Sequence, residues 1–232
     1  MKTTLVTLLT LLVMADPVYG QQSLVLSSTR NLLAVVSGKV VAEAYQRLGI
    51  KVHIDTFPAG RSLIMSNSGD VDGEVYRVKG MEKTYENLVM VPVAVNKVEV
   101  VVFAKDVTFS VTGWDSLKPY SIGIRRGSTF VEKKTKGMKV KPVTKIEQLF
   151  LMLDLGRNDV IVTSRLAGLK AMKELKIKGI HLLEPPLATK NVYHYLHKKN
   201  AHLLPDIKKV LQDMENEGRI KDIRTQAISE LF

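Results

Sequence analysis

The sequence predicts an α/β fold built as two similar lobes. Three observations carry this. Strand-like and helix-like segments alternate along the chain, the signature of a sheet covered by helices. The stretch Ser68-Gly69-Asp70-Val71-Asp72-Gly73-Glu74-Val75 is echoed by Leu155-Gly156-Arg157-Asn158-Asp159-Val160-Ile161-Val162, 87 positions later (69 to 156). Each copy follows an amphipathic helix, has a Gly where a helix must stop, and leads through an Asp into a short strand ending in polar groups. Ligands of parallel α/β sheets bind beyond the carboxyl ends of the strands, so each lobe is expected to offer one strand end to a shared ligand.

Bulk properties narrow the classes. The 232 residues are 45% hydrophobic and 25% charged, ordinary for a globular chain of one large or two small domains. Residues 1–20 differ from the rest. Lys2 supplies charge, Leu5 to Met14 is a short apolar run, and Gly20 is a small residue before Gln21. This is the pattern of a secretory signal peptide cleaved after Gly20. The run is too short to span a bilayer, which needs about 20 residues. The chain has no Cys, which excludes disulfides, thiolate catalysis, Cys-ligated metals and a lipid-anchored cysteine. A free periplasmic protein is therefore expected. The net charge is +11, and removing residues 1–20 takes away one Lys and one Asp and leaves it unchanged. Such a charge suggests nucleic acid or an anionic surface, but export argues against nucleic acid. The run Lys133 to Lys141 has no interleaved aromatics and reads as a solvated helix end and strand start.

In chain order, Leu24–Ser28 reads as a first strand ending in hydroxyls. Asn31 to Leu48 has helical spacing (Leu32, Val36, Val40, Ala44, Leu48), closed by Gly49. Lys51–Phe57 alternates and ends at Pro58. A helix through Leu63, Ile64 and Met65 leads to Gly69, and Val71–Val75 is a third strand. Gly80–Tyr85 is a helical turn. Leu88–Val95 and Val98–Phe103 are β-branched runs suited to a long strand crossing between lobes. In the second lobe, Trp114–Pro119 is a loop and Tyr120–Ile124 a strand, with a helix from Arg125–Phe130 through Lys136. Val140–Val143 is a strand. Thr144 caps the next helix with Glu147 at capping-box spacing, and Leu149 and Leu153 supply its buried face. Val160–Val162, a helix over Arg165–Leu175, and Ile180–Leu183 complete the lobe. Pro185-Pro186 breaks the pattern, as a return crossing would. Tyr193–His197 is strand-like, Pro205 opens a helix, and Gly218 separates it from a final one.

Several of these segments together resemble the type II periplasmic solute-binding proteins of ABC transporters, the polar-amino-acid-binding-like branch (bacterial extracellular solute-binding protein family 3). The residues that carry the resemblance are Ala42–Ile50, Ser68–Gly73, Tyr120–Thr129, Gly156–Val162 and Glu217–Ile220, in that order and spread over the mature chain. Arg77–Leu88 and Tyr193–Lys199 are similar to an uncharacterised exported branch. The resemblance implies two Rossmann-like lobes joined by two hinge strands, a hinged clamp that closes on a solute. Lobe 1 is expected at residues 21–103 plus 190–232 and lobe 2 at 104–189, with hinges near Val102–Lys105 and Leu187–Asn191. It also implies a small-molecule solute, delivery to an inner-membrane ABC permease, a monomer and no cofactor.

The amino-acid-binding pattern of that family is not followed throughout. The segment after the third strand is Tyr76-Arg77-Val78-Lys79, short and basic. Ser164 stands where an Asp would grip an α-ammonium, and a buried ammonium without a partner is costly. Arg77, Lys79, Arg125 and Arg126 all fall at strand ends, which favours an anionic or carboxylate-bearing solute. The candidate ligand contacts are Ser28, Glu74, Tyr76, Arg77, Arg126, Ser128, Thr129 and Ser164. Arg77 either forks onto a ligand carboxylate or pairs with Glu74 or Glu82. Tyr76 is a ligand contact or a half-buried strand aromatic. Ser128 and Thr129, after Gly127, either offer a helix N-terminus to an anion or merely cap it. Only one of Arg125 and Arg126 faces a given side. Glu74 either faces the cleft or forms an ion pair, for which Arg61 is a candidate partner. Asp72 and Asp159 are expected to cap nearby amides. His194 and His197 point to opposite faces of a strand and hold no metal together.

No nucleophile elbow, phosphate loop or dinucleotide fingerprint is present, so a binder rather than an enzyme is expected. The enzymatic alternative, on the same resemblance, is a cyclohexadienyl or arogenate dehydratase with Glu74 as the acid. A third reading is a solute-sensing subunit for a membrane receptor.

Overall fold

The computed structural model describes residues 23–231; the signal-peptide reading of residues 1–20 lies outside them. The first half holds β1 (Ser23–Ser28), α1 (Leu32–Arg47), β2 (Lys51–Thr56), α2 (Ala59–Ser68) and β3 (Gly73–Val78). A long strand, β4 (Leu88–Ala104), leads into the second half. There follow β5 (Ile122–Arg125), α3 (Thr129–Lys134), β6 (Val140–Val143), α4 (Ile146–Asp154), β7 (Val160–Ser164) and α5 (Arg165–Leu175). A second long strand, β8 (His181–His197), returns to the first half, where α6 (Leu204–Asn216) and α7 (Arg219–Leu231) pack.

The eight strands of the described residues form one sheet in the order β2-β1-β3-β8-β4-β7-β5-β6. The outer triplets β2-β1-β3 and β6-β5-β7 are parallel. The central pair β8-β4 is antiparallel. The α/β alternation thus yields two parallel triplets flanking two crossing strands. The larger apolar core of the first half lies where α1, α6 and α7 cover β1, β3 and the early part of β4, and a smaller one joins Leu63, Leu88 and Tyr195. Two others lie on the opposite faces of the second half's sheet. Val100, Val102 and Ala104 enter one, Val101 and Phe103 the other, as the two-residue period of a strand requires.

The echo seen in the sequence has a common structural cause. Gly69 and Gly156 both take positive φ, 84° and 65°, just after α2 and α4. The carboxylate of Asp72 accepts the Val25 amide of β1 at 2.8 Å, and that of Asp159 accepts the Ser121 amide before β5 at 2.7 Å. In each half the Asp ties the entry of one strand to the start of its neighbour, the capping role expected of both.

Three boundaries differ from expectation. β8 does not break at Pro185-Pro186. Ala188 pairs with Val100 and Leu183 with Val102, so Glu184–Leu187 bulge out opposite Val101. Prolines have no amide to give the ladder, and a bulge removes that demand. The crossing lies earlier on β4 than Val102–Lys105, because Val100–Ala104 already pair with β7; the strand passes between halves at Lys97–Glu99, opposite Thr189–Asn191. At the start of α4 the cap falls one residue late: Gln148, not Glu147, reaches back, accepting the Lys145 amide at 3.3 Å.

Candidate functional site

A cavity of about 920 Å³ opens where the two halves face each other. The first half contributes the β1–α1 turn (Ser28 to Asn31), the inner face of α1, and Arg224 and Ile228 of α7. The second half contributes Arg125 at the end of β5, Ile146 and Glu147 of α4, and Ser164 to Ala167 where β7 runs into α5. Hinge-strand residues Asn96 to Glu99 form part of the wall. The strand-end rule holds in both halves: β1, β5 and β7 all deliver their carboxyl ends here.

The β1–α1 turn is built by short polar links. Asn31 caps α1, its Oδ1 accepting the Ala34 amide at 2.9 Å. Its amide nitrogen donates to the Thr29 and Tyr76 hydroxyls, both at 2.9 Å. Tyr76 and Thr29 hydroxyls meet at 2.8 Å. Tyr76 therefore braces the turn from behind rather than lining the cavity. Ser28 does line it, is 1% exposed, and its Oγ has no hydrogen-bond partner among the described residues. Ser164 precedes α5, its hydroxyl uncommitted to the cap, and also lines the cavity. Two helix N-termini, of α1 and α5, thus face the cavity from opposite halves, each bringing a partial positive charge.

The hinge side carries a charged cluster. Glu99 accepts from Arg165 Nε at 2.7 Å and pairs with Lys97 at 2.8 Å. Arg165 also reaches Glu184 at 2.8 Å. Burial works against ionisation of Glu99, but the hydrogen bonds from Lys97 and Arg165 prevail and hold its pKa below the usual carboxylate value. Arg165, the first residue of α5, so ties the second half to both hinge strands.

The structure separates the expected contacts into two groups. Ser28 and Ser164 line the cavity, and Tyr76 backs it. Of the two strand-end arginines it is Arg125, not Arg126, that faces the cavity; Arg126 is exposed and its amide donates to Val143 O at 2.7 Å. Ser128 and Thr129, at the start of the six-residue α3, are not among the lining residues. Glu74 and Arg77 form a closed pair outside the cavity. Glu74 is 0% exposed; Ser62 and Ser27 hydroxyls donate to Oε2 at 2.6 and 2.8 Å, and Arg77 approaches Oε1 at 3.0 Å. Arg77 also donates to Ala59 O at 3.0 Å. Burial pushes the Glu74 pKa up, and Arg77 with the serines opposes this. Arg61, expected near Glu74, instead lies over the Phe57 ring at 5.6 Å.

His194 is also committed: fully buried, its Nδ1 bonds Glu74 O at 2.8 Å and its Nε2 the Tyr45 hydroxyl at 2.9 Å. Among the described residues no group of three or more His, Cys, Asp or Glu is placed to hold a metal. Thr29, Arg30, Asn31, Glu99, Arg165 and Arg224 were missed by the sequence reading. Applying the strand-end rule to β1 finds the first three; Arg224 carries no local signal, since α7 reaches the cavity only through the tertiary fold.

No family model matches the chain. A protein of Shewanella oneidensis described as uncharacterized is 24% identical over 200 residues, 81% of this chain and 74% of its own. Among solved structures, the chain is similar to the probable amino-acid ABC transporter extracellular-binding protein ytmK from Bacillus subtilis, with TM-score 0.73 and 16% identity over 89% of this chain and 98% of that one. A histidine kinase sensor domain with similarity to periplasmic binding proteins superposes at TM-score 0.64, with 15% identity, covering 89% and 96%. An ancestral arginine-binding protein bound to arginine superposes at 0.62, with 20% identity, covering 88% and 97%. Taken with the two parallel triplets and the crossing strands between them, these likenesses show that the chain has the type II periplasmic binding protein fold.

Proposed function

We propose that this chain is a non-enzymatic solute-binding protein that captures a small anionic, carboxylate-bearing solute in the cavity between its halves. In this reading the chain is exported to the periplasm, its leader removed after Gly20, and as a monomer it delivers the solute to an inner-membrane ABC permease. The observation that carries the reading is the electrostatics of the cavity. Two helix N-termini face it, and Arg30 and Arg125 line it with no ion-pair partner among the described residues. Positive groups converging on a concave site favour an anion. Arg125 and the exposed amides of α1 would grip a carboxylate, Ser28 and Ser164 would add hydroxyl donors, and the apolar face of α1 would hold the solute's body.

The dehydratase alternative loses its support, because it rests on Glu74 as an acid in the cleft, and Glu74 is enclosed among Ser27, Ser62 and Arg77 away from the cavity. The sensory reading has one observation in its favour, the likeness to a histidine kinase sensor domain. A permease gene beside this one favours transport, and a receptor gene favours sensing.

The test is a thermal-shift screen of the purified protein against amino acids, di- and tricarboxylates, aromatic acids and polyamines. A ligand at about 100 times its Kd stabilises the folded state by about 2.7 kcal/mol, which is about 5–11 °C for a chain of this size. The expected result is a shift with a carboxylate that is lost in Arg125→Ala. A shift confined to polyamines would overturn the proposal. A shift confined to zwitterionic amino acids would contradict the anionic solute and point to Glu147 as the group that grips an ammonium.

A further inference from the structure

The cavity's charges do not balance. Among the described residues, seven basic side chains line it against three acidic ones. Four of the seven are taken: Lys97 and Arg165 by Glu99, Lys170 by Glu174, and Lys39 by Glu230. Arg30, Arg125 and Arg224 have no ion-pair partner among the described residues, and Glu147 is the one lining acid left unpaired against them. The unpaired groups sum to two positive charges.

Arg224 is the least provided for of the three. Its Nε is buried and makes no hydrogen bond among the described residues. Burial lowers the pKa of its guanidinium from the usual value, and Glu99 counters this only through space, being already held by Lys97 and Arg165. A buried donor without an acceptor is costly, and an anion in the cavity supplies the acceptor. Ser28 Oγ, equally buried and unpartnered, makes the same demand at the head of α1.

These two unmet positions belong to different elements, Ser28 to the end of β1 and Arg224 to α7. Ser28 and Arg30 lie at the N-terminal end of α1. Arg224 lies on α7 within electrostatic reach of Glu99 on the hinge strand, and that strand meets α1 in its second turn, where Asn96 donates to Ser37 Oγ at 3.2 Å. From Asn31 to Ser37 the helix rises about 9 Å. The surface between is apolar, with Leu32, Val35, Leu166 and Ile228 lining the cavity and Val35 half-exposed. The volume lies towards the upper end of the roughly 300–1,000 Å³ of small-molecule sites, so it takes more than a compact monoanion.

Building on the solute-binding reading above, we infer that the solute is an organic dianion: two carboxylates joined by an apolar chain, one held by Ser28 and Arg30 at the start of α1 together with Arg125 from the opposite half, the other by Arg224 on α7. Arg224 is thereby a second anchor that selects dicarboxylates over monocarboxylates of the same length.

The experiment is titration calorimetry of the purified protein with succinate, adipate, suberate and sebacate, each beside the monocarboxylate of equal length. Wild type is expected to bind the longer dicarboxylates about tenfold or more tighter than their monocarboxylate partners, since a charge-assisted anchor is gained. In Arg224→Gln that ratio falls to about one through loss of dicarboxylate affinity; Arg224→Met, which matches the stem without the charge, gives the same result. Equal affinity for mono- and dicarboxylates in wild type would overturn the dianion inference and leave anion binding standing. A dicarboxylate preference that survives both substitutions would overturn the role of Arg224. Failure of every carboxylate to bind would overturn the solute-binding proposal as well.

Discussion

Replacing Arg77 by Ala separates a fold-holding role from a ligand-holding one. Arg77 approaches the Glu74 carboxylate at 3.0 Å, with side-chain exposures of 14% for Arg77 and 0% for Glu74. Three serine hydroxyls donate to the other Glu74 oxygen, at 2.6, 2.8 and 3.3 Å. In Arg77→Ala that carboxylate stays buried with no cation beside it. Breaking a buried pair from one side costs about 3–5 kcal/mol, because the remaining charge is stranded. At about 2–4 °C per kcal/mol for a chain of this length, a loss of about 4 kcal/mol lowers Tm by about 8–16 °C. The loss should depend on pH in a defined direction. Burial already raises the Glu74 pKa, and without Arg77 it rises further, so acidification protonates the stranded group and narrows the gap to wild type. Arg77→Ala with Glu74→Gln removes the charge and should recover most of the loss at neutral pH. Differential scanning calorimetry of the three proteins at neutral and mildly acidic pH measures all of this. An Arg77→Ala protein that melts within about 1 °C of wild type would refute the reasoning and return Arg77 to the role of a ligand contact.

Other consequences follow from buried or closely packed groups. Burial lowers the His194 pKa to about 4, whereas the unfolded imidazole titrates near 6.5. The folded state therefore binds fewer protons in that window, and stability falls as pH drops from about 6.5 to about 4, by about 3 kcal/mol in all. Urea unfolding across that range should show the slope, and His194→Gln should flatten it; an imidazole resonance titrating near 6.5 would contradict it. Asp159 is held below the usual Asp value chiefly by the Ser121 amide, so its contribution is present above about pH 4 and lost on acidification. Asp159→Asn should cost about 1 kcal/mol at neutral pH, the group being exposed, and remove that part of the acid dependence. Gly168→Ala sets two effects against each other. Ala favours a helix by about 1 kcal/mol, but the new Cβ would meet the Phe103 ring at 2.2 Å. Overpacking costs about 1–3 kcal/mol, so denaturant melts should show net destabilisation; a more stable variant would mean that α5 shifts freely on β4.

What could be read from the sequence was local. The Gly–Asp–strand echo was legible because helix stops and amide caps depend on neighbours within a few residues. Asp72 and Asp159 duly cap the strands beside them. The strand ends beside the cavity were legible for the same reason, down to the pair Arg125 and Arg126. Which of the two faces inward was not, since alternation needs the strand's phase and the tertiary fold sets it. Glu74 and Arg77 show a sharper limit. Residues three apart in a regular strand point to opposite faces, but the β3–β8 register shifts between them, and this irregularity brings the two charges together. Likewise Pro185-Pro186 read as a strand end because proline cannot feed a ladder, whereas a bulge carries β8 past it. Arg224 lay beyond any local rule: helix periodicity marks Ile220 and Ile223 as buried, and says nothing of a cavity assembled from residues a hundred positions away.

The central claim is that the solute-binding surface is the Arg125 wall between the halves and not the Arg77 pair. Titration calorimetry answers it with the tightest carboxylate of the screen, run on wild type, Arg125→Ala and Arg77→Ala below the lowest of their melting temperatures. Arg125→Ala should weaken binding about tenfold or more, the worth of a hydrogen bond to a charged group. Arg77→Ala should bind within about twofold of wild type despite its lower Tm. The opposite order, with affinity lost in Arg77→Ala and kept in Arg125→Ala, would contradict the account and move the site to the end of β3.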